Sequence, residues 1–239
     1  MLKLSNISYD IPDREGILKD INMEIGSGEM VVVTGPNGGG KTSLIRAIAG
    51  VIRPSLGEIW LDDTDLTELG ITERANAGVA YSFQNPVRFK GFRVRDLIRI
   101  AAKRRLNDQE ICQVLSRVGL CARSYIDREV DAGLSGGELK RIEIATVLMR
   151  KVKLYLFDEP EAGIDLWSFG HLVEIFSELR RESDATIIII SHQERIINLA
   201  DRLAVLADGC LTHFGTRDEI LPHLHIRPFS FSCQTDGAE

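Results

Sequence analysis

Gly35-Pro36-Asn37-Gly38-Gly39-Gly40-Lys41-Thr42, followed at once by Ser43, decides how this chain is read. It satisfies the pattern G-x-x-x-x-G-K-[ST] at every fixed position, and its flanks have the texture that pattern needs. Met30-Val31-Val32-Val33 leads in as a β-type run, and Ser43-Leu44-Ile45-Arg46-Ala47-Ile48-Ala49 leads out with helical spacing. Glycines let a backbone wrap a row of phosphates with its N–H groups turned inward. The helix that follows presents its positive end to the same phosphates. Lys41 is expected to bridge the β- and γ-phosphates, and the Thr42 hydroxyl to ligate Mg²⁺. A ligand-free glycine turn is the bland alternative; it does not account for strand, loop and helix all standing in place.

Composition bounds the rest. The 239 residues, 44% of them hydrophobic, suffice for one sizeable core or two small lobes. A formal charge of −6 argues against nucleic acid as the main partner. Met1-Leu2-Lys3-Leu4-Ser5-Asn6 turns polar at once, so no secretory signal is expected. The aliphatic run Ile187-Ile188-Ile189-Ile190 is far too short to span a bilayer, so no direct membrane insertion is expected. Cys112, Cys121, Cys210 and Cys233 form no C-x-x-C pair and read as reduced thiols of a cytoplasmic protein.

Residues 2–9 alternate like a half-buried strand and residues 17–25 resemble a second, with Gly26-Ser27-Gly28 as the turn into the strand before the loop. Tyr9 closes the first strand, where it is either a packed surface tyrosine or a platform for an adenine ring. Residues 57–61 give a short strand; a polar stretch then leads to another at 79–83, ending at Gln84-Asn85-Pro86. A glutamine there can reach toward a Mg²⁺ or an attacking water, although the tripeptide alone is also a plain polar turn.

From about 87 to 151 the texture is helical. Val94, Leu97, Ile98 and Ala101 make one apolar stripe, and Ile111, Val114, Leu115 and Val118 make another, opened by an Asn107/Glu110 capping box. Arg95, Arg99 and Lys103 recur at helical spacing in a strongly basic segment and read as a solvated ridge. Leu134-Ser135-Gly136-Gly137-Glu138 opens a further helix. Ser135 and Glu138 have capping-box spacing, and the same geometry aims a hydroxyl and two unobstructed N–H groups outward, which suits phosphate.

Residues 153–158 form a buried-type strand that ends in Asp158-Glu159. Asp158 is expected to hold the Mg²⁺ through water, and Glu159 to polarise the water that attacks the γ-phosphate. A helix near 166–181 follows. One more core strand, 186–190, delivers Ser191-His192-Gln193, placing His192 where it can contact the γ-phosphate. Residues 203–206 and 210–214 read as a hairpin around Asp208-Gly209, residues 215–221 as a short helix, and residues 223–239 as a tail whose His223 and His225 receive no role.

The phosphate loop, Gln84, the Leu134–Glu138 segment, Asp158-Glu159 and His192 stand in an order that resembles the ATP-binding-cassette ATPases along essentially the whole chain. That resemblance implies one α/β P-loop ATPase domain over 1–239, a RecA-like core with a β subdomain and a helical subdomain inserted at 87–151. It implies ATP and Mg²⁺ as cofactors, with Gly35, Pro36, Asn37, Gly38, Gly39, Gly40, Lys41, Thr42 and Ser43 around the phosphates and Tyr9 on the adenine. Thr42, Gln84 and Asp158 surround the metal, and Glu159, Gln84 and His192 carry hydrolysis. Ser135, Gly136, Gly137 and Glu138 become a signature that meets ATP, and Asp165 a loop aspartate at the interface. Two cassettes of this family sandwich two ATPs, each site joining one chain's phosphate loop to the other's signature. A second cassette chain is therefore an expected partner.

Within the family the chain is most similar to the SufC-type ATPases of iron–sulfur cluster assembly. The matching residues are Glu73-Arg74-Ala75-Asn76-Ala77-Gly78, Phe83-Gln84-Asn85-Pro86 with Gly91, Arg128-Glu129-Val130-Asp131-Ala132-Gly133, the run from Ser135 through Glu143 to Ile144, and His192-Gln193-Glu194-Arg195-Ile196. This implies a SufB- or SufD-like scaffold as partner. Leu134 departs from that pattern, Asp158-Glu159-Pro160 resembles transporter cassettes, and Gln84-Asn85-Pro86 with Ala162-Gly163-Ile164-Asp165 resembles energy-coupling-factor importers. A transmembrane permease is thus the alternative partner. A nucleotide-dependent regulator without turnover is disfavoured by the presence of Glu159.

Overall fold

Three uninterrupted aliphatic runs fix the architecture, because a strand buried on both faces needs cover on both and pairs best in a parallel sheet. In the computed structural model, which describes residues 1–11, 14–131 and 133–224, those runs are fully buried strands. The expected tail with His225 and Cys233, and Ala132, lie outside the described residues.

The first part of the chain runs β1 (Leu2–Ile11), β2 (Arg14–Ile25), β3 (Met30–Thr34), α1 (Lys41–Ala49), β4 (Leu56–Leu61), β5 (Thr64–Asp65), α2 (Ile71–Ala77) and β6 (Val79–Ser82). A mostly helical lobe follows: β7 (Phe89–Arg93), α3 (Val94–Ala102), α4 (Asp108–Arg117), α5 (Ala122–Tyr125), β8 (Glu129–Val130) and α6 (Gly136–Leu148). The chain then returns through β9 (Leu154–Asp158), α7 (Leu166–Glu182), β10 (Thr186–Ile190), α8 (Glu194–Ile197), β11 (Arg202–Ala207), β12 (Cys210–Thr216) and α9 (Arg217–Ile220).

The central sheet has the order β12-β11-β3-β10-β9-β6, parallel from β11 to β6 and closed by antiparallel β12. Alternate residues supply two cores. Val31, Val33 and Ile188 face α1 and the antiparallel sheet β2-β1-β4-β5, while Val32, Phe157 and Ile189 face the side shared with the helical lobe and α7. Each fully buried Val, Ile or Phe contributes about 1.5–3 kcal/mol through the area it removes from water. Parallel pairing also sets the position of the chemistry. Val33 stands opposite Ile190, Ile190 opposite Asp158, and Phe157 opposite Ser82. The C-terminal ends of β3, β6, β9 and β10 therefore open on one edge, where ligands of such sheets bind.

Three local features depart from the sequence reading. The polar stretch before β6 contains α2, whose one buried residue is Arg74; an apolar stripe is absent, so periodicity gave no sign of it. Arg74 donates to the carbonyls of Leu69 (2.8 Å), Ala47 (2.6 Å), Ile48 (2.9 Å) and Thr67 (3.1 Å), and so caps the C-terminal end of α1. Within the segment read as helical, β7 pairs with β8 as a small antiparallel ribbon. The expected solvated ridge on α3 is tied down. Arg95 pairs with Asp127 at 2.7 Å, Arg99 with Asp108 at 3.2 Å, and Lys103 donates to Asn76 at 3.5 Å.

Candidate functional site

The phosphate loop lies where β3 passes into α1. Gly40, the residue before α1, has φ +100°, and a Cβ there would stand 2.8 Å from the Ile17 carbonyl oxygen. At Gly35, φ +127°, a Cβ would meet the Leu206 carbonyl oxygen at 2.0 Å. Close packing against β2 and β11 thus demands glycine at these two points, apart from any ligand. At Gly38 the space for a Cβ is open, on the side facing the cleft.

Lys41 opens α1 and is 5% exposed. Its Nζ donates to the carbonyls of Gly35 (2.8 Å) and Pro36 (2.9 Å), which leaves the third ammonium proton for an anion in the loop. Burial lowers its pKa, against the pull of Glu159 and Asp158. Lys41, Thr42, Ser43, Asn37, Gly38, Gly40 and Ile17 line a cleft of about 510 Å³ together with Gln84, Glu159 and His192. Residues distant in the sequence are thus assembled by the shared strand edge.

Asp158 is fully buried at the tip of β9. Its Oδ1 accepts a hydrogen bond from the Thr42 hydroxyl and its Oδ2 one from the Tyr81 hydroxyl, both at 3.2 Å. Burial raises its pKa, partly offset by those two bonds. Glu159 takes a left-handed backbone, φ +44°, uncommon outside glycine and costing of order 1–3 kcal/mol. Its carboxylate lines the cleft, where its Oε2 accepts from the Gln84 amide at 2.7 Å. The hydroxyl of Thr42 and the carboxylate of Asp158, 3.2 Å apart, are hard oxygen donors, and the Gln84 side chain lines the same cleft as Thr42. This set fits Mg²⁺, which takes oxygen ligands and keeps several waters.

His192 follows β10 and stands with its Nδ1 3.4 Å from the Thr34 hydroxyl. Burial first, and then the Lys41 charge, lower its pKa against the pull of Glu159, so it is neutral at neutral pH. Ser191 donates to Glu161 at 2.5 Å and accepts from the Gln193 N–H at 3.0 Å, which fixes the turn that carries His192. Asp165, at the head of α7, accepts from both the N–H (3.0 Å) and the hydroxyl (2.7 Å) of Ser168.

Not every expected residue is in the cleft. Tyr9 is half-buried against the β-sheet core and pairs with Leu18, one residue from the cleft-lining Ile17. Ser135 and Gly136 are exposed at the N-terminus of α6 and do not line the cleft of their own chain. Glu138 is engaged within the chain. It accepts from the Ser135 N–H at 2.7 Å and from the Tyr125 hydroxyl, and it faces Arg128 at 3.7 Å. The Tyr125 bond above all holds its carboxyl down to about 2. Glu138 thus supports the signature turn from behind. Sequence reasoning missed Tyr81 and Glu161; a tyrosine within a strand and an acid in a loop carry no signal before the fold places them.

A family model described as "ABC transporter" matches residues 18–162. Among similar proteins, an uncharacterized ABC transporter ATP-binding protein of Methanocaldococcus jannaschii is 32% identical over 228 residues, which cover 92% of this chain and 90% of that one. The molybdate/tungstate import ATP-binding protein WtpC of Thermococcus kodakarensis is 33% identical over 223 residues, 92% of this chain. The chain spans 66% of that importer subunit, just under two thirds of its length. Among solved structures, cbiO1 of Clostridium perfringens, described as part of the ABC transporter complex cbiONQ, superposes with a TM-score of 0.75 at 29% identity. That match covers 92% of this chain and 90% of the other, and the expected α/β P-loop fold is the one found.

Proposed function

Because this chain belongs to the ABC transporter family and is an ATPase, we propose that it is the nucleotide-driven motor of a membrane permease. In the hydrolysis step Lys41 holds the β- and γ-phosphates, and the Glu159 carboxylate takes a proton from the water attacking the γ-phosphorus. The bond to the β-bridging oxygen then breaks, giving ADP and phosphate. Gln84 orients Glu159 through the bond already formed, and neutral His192 contacts the γ-phosphate. Mg²⁺ held near Thr42, Gln84 and Asp158 would neutralise charge developing on the phosphate oxygens. Tyr9 backs the adenine side of the cleft. The exposed Ser135–Gly136 end is proposed to close the cleft of a second cassette chain, since it lines none in its own.

The observation that carries the permease reading is an apolar groove of about 430 Å³ directly beside Gln84. Phe89, Phe92, Val87 and Ile100 line it while 44%, 41%, 47% and 61% exposed, which supports an interface there rather than an anchor for the lobe's own core. Lys103 and Arg150 give it a basic rim. An apolar centre with a polar rim is how protein interfaces are built. The importer name of WtpC and the transporter-complex description of cbiO1 support the same choice. The scaffold reading of the SufC type draws no support from them. Several residues that suggested it, Arg74, Arg128, Glu138 and Glu143, serve as internal supports.

The test is where the native protein is found. It is expected to sediment with membranes and to be extracted by detergent in complex with a polytopic permease. Phe89→Asp is expected to cut that co-extraction by about tenfold or more, as for an interface anchor, with ATP binding intact. Recovery from the supernatant without detergent, bound to a SufB-like chain, would overturn this choice and leave the ATPase in place.

A further inference from the structure

We infer that Lys140 and Glu143 form a buried clamp that positions Gln84, and through it Glu159, for hydrolysis; the inference rests on the roles proposed above for those two residues. Lys140 is fully buried and Glu143 largely so, one turn apart on α6 with 3.2 Å between their charged groups. Together they hold both backbone groups of Phe83. Glu143 Oε1 accepts from the Phe83 N–H at 2.7 Å, and Lys140 Nζ donates to the Phe83 carbonyl, with Ser82 Oγ at 3.4 Å. Phe83 is the residue at which β6 has stopped, so its N–H and C=O have left the ladder and need partners. The carbonyl that Lys140 grips belongs to the peptide unit ending at the nitrogen of Gln84. The Gln84 amide in turn lies 2.7 Å from Glu159.

An ion pair at this place has no packing rationale of its own. The helix buries Leu139, Ile142, Ile144 and Val147 as well, and a pair of apolar side chains would fill the same space without desolvating two charges. Glu143 Oε2 faces Lys140 Nζ at 3.2 Å, yet burial pushes the Glu143 pKa up ahead of the opposing pull of Lys140. The pair is therefore held for where it points. The first turn of α6 is the Ser135–Gly137 end, so the clamp links the signature helix to the catalytic edge of the same chain. Phe83 and Glu143 also line the apolar groove, so the clamped backbone is one wall of the docking surface. A buried ion pair that merely stabilised the lobe would act on melting temperature, not on turnover in a folded protein.

Steady-state ATPase kinetics on the full chain separate the two. In Lys140→Met/Glu143→Leu, which leaves no lone buried charge, kcat is expected to fall about tenfold or more while KM for MgATP stays within about twofold. The melting temperature is expected to stay near the parent's. Lys140→Met/Glu143→Gln, which also leaves no lone buried charge, restores an acceptor for the Phe83 N–H and is expected to recover kcat to within about threefold of the parent. Gln84→Ala serves as the reference. If it loses turnover while the folded Lys140→Met/Glu143→Leu variant keeps parental kcat, the clamp is overturned and the reading of Gln84 stands. If Gln84→Ala itself keeps parental kcat, both fall. Should Lys140→Met/Glu143→Leu not fold, hydrogen exchange at the Phe83 amide in the parent decides. Protection comparable to the β9 core supports the clamp, and exchange as fast as an open loop overturns it.

Discussion

Glu159→Gln is expected to bind MgATP as tightly as the parent and to lose hydrolysis by roughly 10²–10⁴-fold, the range for removing a positioned general base. The amide keeps shape and an acceptor oxygen for the Gln84 amide, so the 2.7 Å contact and the left-handed turn at Glu159 persist. What disappears is the basicity that takes a proton from water. Because the carboxylate acts only during attack, kcat falls and affinity does not. Single-turnover hydrolysis alongside nucleotide titration reads both numbers. Parental kcat in this variant would remove Glu159 from the mechanism.

Lys41→Ala is expected to act on the other quantity. A hydrogen bond from a charged donor contributes about 1.5–3 kcal/mol, so ATP affinity should drop by roughly 10–150-fold. The loss has a second component within the protein. Lys41 Nζ also holds the Gly35 and Pro36 carbonyls, and without it the Pro36 carbonyl keeps only the Gly39 N–H at 3.1 Å. The loop then has to be ordered by the nucleotide itself. Calorimetric titration with MgATP measures the affinity, and a melting curve shows that α1, whose other buried residues are apolar, remains folded. Unchanged affinity would contradict the placement of the phosphates.

The catalytic edge was legible in the sequence because each of its residues follows an apolar run. Val31–Val33, Leu154–Phe157 and Ile187–Ile190 read as strands from composition alone, and Lys41, Asp158 and His192 are what comes next. Elements stabilised by polar groups were not legible. α2 is held by the four carbonyls around Arg74, and the β7–β8 ribbon joins segments far apart in sequence. Both depend on contacts that no local pattern encodes. The same holds for function. Glu138 and Glu143 stand out in the sequence as acids that ATP chemistry does not require, which invites a partner as the explanation. In the fold they cap the signature turn and grip Phe83. A residue's distance from catalysis in a motif is thus no guide to whether it faces outward or supports the site from inside.

The cleft holding Lys41 and Glu159 is proposed to be one half of a site, completed by the Ser135–Gly136 end of a second chain. Light scattering on Glu159→Gln measures it most directly. The expected result is a monomer without nucleotide, a doubled mass with MgATP, and a monomer again when Ser135→Arg is added with MgATP present. A dimer that forms without nucleotide and persists in Ser135→Arg would contradict it.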